Sequence, residues 1–122
     1  MEEGKETKDI LVVDDSVLVR LMVKDILGGE GYNVVAAATS EEAVRKIKSR
    51  KELFDLIIVD INLPDQNGFE FIRNLKSEEK YRHIPVIILS IDATVPSIRR
   101  AVEAGAVDYL VNPSCLTKHN HR

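Results

Sequence analysis

The chain has 122 residues, enough for one domain with a real core, and it is 44% hydrophobic and 30% charged. A formal net charge of −3 argues against a surface dedicated to nucleic acid, and no apolar stretch approaches the roughly 20 residues of a membrane span. One cysteine, Cys115, excludes an intramolecular disulfide framework and suits a reducing compartment, so a cytoplasmic location is expected.

The start, Met1 to Lys8, is polar, lacks the apolar core of a signal peptide, and reads as a flexible lead-in. A first apolar run, Ile10-Leu11-Val12-Val13, predicts a strand starting near Asp9 and buried on both faces. It stops at Asp14-Asp15. Ser16 is placed to cap a helix that carries Leu18, Leu21, Met22 and Ile26 on one side and ends at Gly28-Gly29. A second strand is predicted from about Asn33. A second helix follows, capped by Ser40, with Ala43, Val44 and Ile47 inward and a Glu41–Arg45 pair one turn apart. The basic stretch Arg45 to Lys51 reads as a solvated helix face. A third strand, Leu56-Ile57-Ile58-Val59, stops at Asp60. Pro64 and Gly68 shape the loop after it, and a third helix presents Phe71, Ile72 and Leu75. A fourth strand begins near Pro85 and ends at Ser90. The fourth helix, about Val95 to Ala104, places Ile98, Ala101 and Val102 on one face and stops at Gly105. A fifth strand begins near Val107.

Strands alternating with helices at this spacing imply an α/β fold of βαβ units around a parallel sheet. A five-stranded chain of this kind can take the flavodoxin-like doubly wound order 2-1-3-4-5, which sets strands one and three side by side. Asp14, Asp15 and Asp60 would then meet at the carboxyl edge of the sheet, where open α/β sheets bind ligands. Three carboxylates that close need a counter-charge, and Mg²⁺ with several waters suits them best.

Taken together, Asp14-Asp15, the Asp60 to Gly68 loop, Ser90 after Ile87-Ile88-Leu89, and Asn112-Pro113 resemble the receiver domain of two-component response regulators, over roughly residues 9–113. The resemblance implies a single domain, with 1–8 as lead-in and 114–122 as a polar tail. It implies that Asp60 is the phosphoacceptor for a sensor histidine kinase or phosphotransfer protein. It implies Mg²⁺ on Asp15, Asp60 and the backbone carbonyl of Asn62, with Asp14 acting through water. Ser90 matches the family's hydroxyl switch and Tyr109 its aromatic switch. The docking surface for a downstream protein target would carry Arg99, Arg100, Glu103 and Tyr109. Such a domain signals rather than catalysing turnover, and neither direct nucleic-acid binding nor membrane contact is implied.

Three departures from the family stand out. Asn112 occupies the place of a lysine whose ammonium pairs with the phosphoryl group, and losing that charge is expected to cost ~1–2 kcal/mol in the phosphorylated state. The Asn112-Pro113 bond has the sequence context in which the family tends toward cis. Ile91, a branched residue after the switch hydroxyl, is expected to narrow access to the site. The nine residues after Pro113 (122 − 113) are too few and too polar for the family's last helix. The face left uncovered is expected to be closed by a homodimer or an element-swapped dimer, which light scattering of a monomer at tens of micromolar would contradict. A truncated longer chain is the other reading.

The alternative function is a pseudo-receiver, an interaction module with impaired or no phosphorylation. An enzyme on the same fold fits less well: no Gly-rich phosphate loop follows the first strand, and Val17 stands where a dehalogenase-type phosphatase would need a second acid. His119 and His121 read as tail, His83 as loop, and Cys115 as inert.

Overall fold

In the computed structural model the described residues are 7–90 and 95–111. They form five strands and four helices in strict alternation. The elements are β1 (Asp9–Val13), α1 (Val17–Gly29), β2 (Asn33–Ala37), α2 (Ser40–Lys48), β3 (Leu56–Val59), α3 (Gly68–Lys76), β4 (Val86–Ser90), α4 (Val95–Ala104) and β5 (Asp108–Val111). All strand pairs are parallel, and the order is β2-β1-β3-β4-β5. The flavodoxin-like α/β architecture expected from the alternation is the one found.

The apolar runs are continuous because both sheet faces are covered. Along β1, Leu11 and Val13 point to one core, while Ile10 and Val12 point to the other. β3 splits the same way, with Ile57 and Val59 against Ile58. The larger core collects Ala43 and Ile47 from α2, Phe69, Phe71, Ile72 and Leu75 from α3, and Ala101 and Ala104 from α4. The smaller one takes Val19, Val23 and Leu27 from α1.

That last set corrects the reading of α1. Leu18, Leu21 and Ile26 are each 59% exposed, and the side that packs is Val19, Val23 and Leu27, spaced four apart. The helix is apolar over most of its circumference, so periodicity could not choose the buried side. In α4, likewise, Ala101 is buried while Ile98 and Val102 are exposed. The cap of α2 also shifts by one residue. Thr39 accepts from the Glu42 N–H at 3.0 Å, and Ser40, buried, begins the helix. Glu41 and Arg45 do approach, at 3.8 Å, but both are largely exposed and the pair contributes little.

At the amino-terminal edge of the sheet, Asp9 takes the Arg50 guanidinium and the Asn33 side-chain amide, 3.0 Å away. Arg50 also stacks on Phe54, 4.0 Å from the ring centre. This edge is closed by paired charges. The opposite edge holds the acids.

Candidate functional site

The site is assembled by register. β1 and β3 pair from Ile10↔Leu56 to Val13↔Val59, so the residues that leave the two strands, Asp14 and Asp60, emerge side by side. Backbone bonds continue past the strand ends: the Asp60 N–H donates to the Val13 carbonyl at 3.0 Å, and the Asp14 N–H donates to the Ala37 carbonyl at 3.0 Å. A carboxylate oxygen from each of Asp14, Asp15 and Asp60 then lies within 4.8 Å of the other two. The trio inferred from topology is a geometric fact.

The three acids differ in setting. Asp14 is buried, Asp60 is half-buried and Asp15 is exposed. Asp14 Oδ1 accepts from the Ser16 N–H at 2.9 Å, and Arg20 Nη1 donates to the Asp14 carbonyl at 2.7 Å. Burial pushes the Asp14 carboxyl above the ordinary range, the Ser16 bond pulls it back, and the Asp15 charge raises it further. Asp60 is pushed up to about 6, first by burial and then by the Asp14 charge, against the pull of the Asn62 and Ile61 N–H groups. Both shifts come first from burial and then from the crowding of like charges, which for Asp14 the Arg20 guanidinium only partly offsets.

Asp14 Oδ2 is buried with no hydrogen-bond partner among the described residues. A buried carboxylate oxygen in that condition is costly unless something positive meets it. Carboxylate oxygens gathered from three residues, one orphaned and one at the solvent edge, fit a hard divalent cation that retains some water.

The loop from Asp60 to Gly68 is tightly specified. Ile61 and Leu63 are buried in the larger core, which leaves Asn62 between them facing outward and exposed. Asn62 bridges to Asn67, and Asn67 caps α3 by accepting from the Phe69 N–H at 2.8 Å. The Gly68 N–H donates to the Ile61 carbonyl at 2.6 Å. A Cβ on Gly68 would collide with the Asp60 carbonyl oxygen and the Ile61 backbone, so glycine is required there by close approach.

Ser90 is fully buried at the end of β4, one strand beyond Asp60 on the same sheet edge. Tyr109, paired with Ile88, is half-buried and packs against the larger core. Of the expected docking residues on α4, Arg100 is exposed and lies over the Phe69 ring, 4.5 Å from its centre; Arg99 and Glu103 are also exposed. Ile91, Asn112, Pro113, Cys115, His119 and His121 lie outside the described residues, as does the tail.

Sequence reasoning overlooked Asp65. Its Oδ1 accepts from the Ser40 N–H at 3.0 Å, and its Oδ2 accepts from the Ser40 hydroxyl at 2.9 Å and the Glu41 N–H at 3.0 Å. Burial is the largest single influence and raises its carboxyl, but these donors together outweigh it and hold the group below the ordinary carboxylate range. An acid after a loop proline signals only a turn; its partner lies 25 residues away, so local pattern could not reveal it.

The family model for the response regulator receiver domain matches residues 10–119. The chemotaxis protein CheY of Thermotoga maritima is 35% identical over 107 residues, which cover 87% of this chain and 86% of that protein. The KDP operon transcriptional regulatory protein KdpE of Escherichia coli is 37% identical over 105 residues, 86% of this chain and 44% of KdpE. The first curated relatives are longer proteins, of which the chain spans 19% to 44%. Among solved structures, chemotaxis protein CheY4 of Vibrio cholerae superimposes with a TM-score of 0.80 at 34% identity, covering 95% of this chain and 98% of that one.

Proposed function

The chain belongs to the response regulator receiver domain family, and from that premise we propose that it accepts a phosphoryl group on Asp60 from the phosphohistidine of a sensor kinase or phosphotransfer protein, with Mg²⁺ bound at the acid trio. The observation that carries this reading is the convergence of Asp14, Asp15 and Asp60 within 4.8 Å at the carboxyl edge of the sheet.

Asp15, Asp60 and the Asn62 carbonyl would hold the cation, and Asp14 would hold its water. When bound, Mg²⁺ offsets charge on the transferring phosphoryl oxygens. The protein residues do the rest. Asp60, mostly ionised at pH 7 even with its carboxyl raised to about 6, is the nucleophile. One of its oxygens forms a bond to phosphorus as the donor's phosphorus–nitrogen bond breaks; the electron pair leaves with the imidazole, which takes a proton from solvent. Ser90, on the neighbouring strand end, supplies a hydroxyl that can turn toward the new phosphoryl oxygens. Tyr109, packed against the same core, follows that movement, and the outer surface of α4 with Arg99, Arg100 and Glu103 changes for a downstream protein target. Such a domain is a switch; its chemistry is Mg²⁺-dependent phosphorylation and dephosphorylation of itself. The phosphohistidine donor would be met in the cytoplasm.

The second reading, an interaction module with weak or absent phosphorylation, is favoured by the uncharged Asn112 where the family carries lysine, and also by the branched Ile91 and the polar tail. Incubation with Mg²⁺ and acetyl phosphate, followed by intact mass measurement, separates the two. A phosphoryl adduct that disappears in Asp60→Asn is expected. No adduct on the natural chain, and its recovery in Asn112→Lys, would establish the second reading instead.

A further inference from the structure

The strand-end hydrogen bonds and the Asp65 contacts close a ring of bonds that passes through Asp14 and Asp60. From Asp14 a backbone bond leads to Ala37. The chain continues through Thr39 to Ser40, the Ser40 and Glu41 donors lead to Asp65, and the chain runs back from Asp65 to Asp60. A backbone bond from Asp60 to Val13 returns to the start. Every other link in this ring is covalent or is a ladder bond at a strand end. The Asp65 link alone is made by a side chain across a gap.

We infer that Asp65 is a positioning residue for the cation and phosphoryl site: by gripping the first turn of α2 it locks the loop that presents Asp60 and the Asn62 carbonyl. The inference rests on the function proposed above and deepens it. Ile61 and Leu63 anchor the loop on its core side, and Pro64 stiffens the segment between Leu63 and Asp65. Asn62 is thus held from the core and, three residues on, from α2. A ligand carbonyl on a loop is only as well placed as its anchors, and partners outside the ligand set commonly change metal affinity by 10-fold or more.

The rival explanation is that Asp65 merely caps α2. Thr39 provides the control, because it caps the same helix turn through the Glu42 N–H at 3.0 Å and, among the described residues, its side chain forms no hydrogen bond to the loop. Asp65→Ala, Asp65→Asn and Thr39→Ala are compared with the natural chain by Mg²⁺ titration calorimetry, at a temperature where thermal melts show all four folded. Asp65→Ala is expected to weaken Mg²⁺ by about tenfold. Asp65→Asn, which keeps one acceptor oxygen, should fall between it and the natural chain. Thr39→Ala should lower the melting temperature while leaving Mg²⁺ affinity within about twofold. Unchanged affinity in Asp65→Ala, or equal weakening by Thr39→Ala, overturns the inference. Hydrogen exchange at the Gly68 amide, bonded to the Ile61 carbonyl, is a second readout that needs no metal: it should quicken in Asp65→Ala and not in Thr39→Ala. If the natural chain takes up no Mg²⁺, the proposed function fails, and the exchange measurement still decides whether Asp65 holds the loop.

Discussion

Asp60, the proposed phosphoacceptor, also carries a cost. Its carboxyl is raised to about 6 by burial and by Asp14. An acid raised above its unfolded value near 3.8 binds protons in the folded state first, so this group's effect on stability falls as pH rises from about 4 to about 6 and stays low above that. Without divalent cations the protein should therefore be more stable at pH 5 than at pH 7 from this contribution, and Asp60→Asn should flatten that part of the profile. At pH 7 the substitution should stabilise the metal-free protein by on the order of 1 kcal/mol, discounted for solvent screening at a half-buried site. Denaturant titrations of both proteins in chelator across pH 4.5–7.5 check it, and a natural chain that gains stability with pH in step with the variant would refute it. The place of Asp60 at the sheet edge was legible from the sequence because the Val/Ile-rich run it ends reads as a buried strand, while its proposed role came from the family resemblance. Asp65 was not, since its role is defined entirely by residues 24 and 25 positions earlier.

At the level of elements, the loop between β3 and α3 is the most constrained part of the site. Gly68→Ala forces a Cβ against the Asp60 carbonyl and the Ile61 backbone, neither of which can swing aside as a side-chain tip could. A loss of about 2–4 kcal/mol in stability is expected, read as a lowered denaturant midpoint with unchanged slope. Stability equal to the natural chain would show that the loop is softer than this packing implies. The positions of β1, β3 and β4 were readable to within a residue because runs buried on both faces have no competing period. Helix sides were less so. In α1 the apolar residues Leu18, Leu21 and Ile26 form as good a stripe as Val19, Val23 and Leu27, and only the docking of the helix beside β1 and β2 selects the latter.

For the molecule as a whole, the order β2-β1-β3-β4-β5 is what brings the adjacent pair Asp14-Asp15 and the distant Asp60 into one cluster. That order was inferable from five alternating units, and the pairing of β1 with β3 followed from it. The register that aligns Val13 with Val59 did not, because it depends on both cores being filled together. The exposed Leu18, Leu21 and Ile26 of α1 support the expected dimer as a proposal, while the tail on which that expectation stood lies outside the described residues.

The proposed function requires the acid trio to take up a divalent cation. Calorimetric titration of Mg²⁺ into folded, chelator-treated protein at pH 7.5 is predicted to show one saturable site that weakens as pH falls through about 6, where Asp60 protonates, and that Asp60→Asn largely abolishes. Folded protein that takes up no Mg²⁺ at pH 7.5, or binds it equally well in Asp60→Asn, would contradict the account.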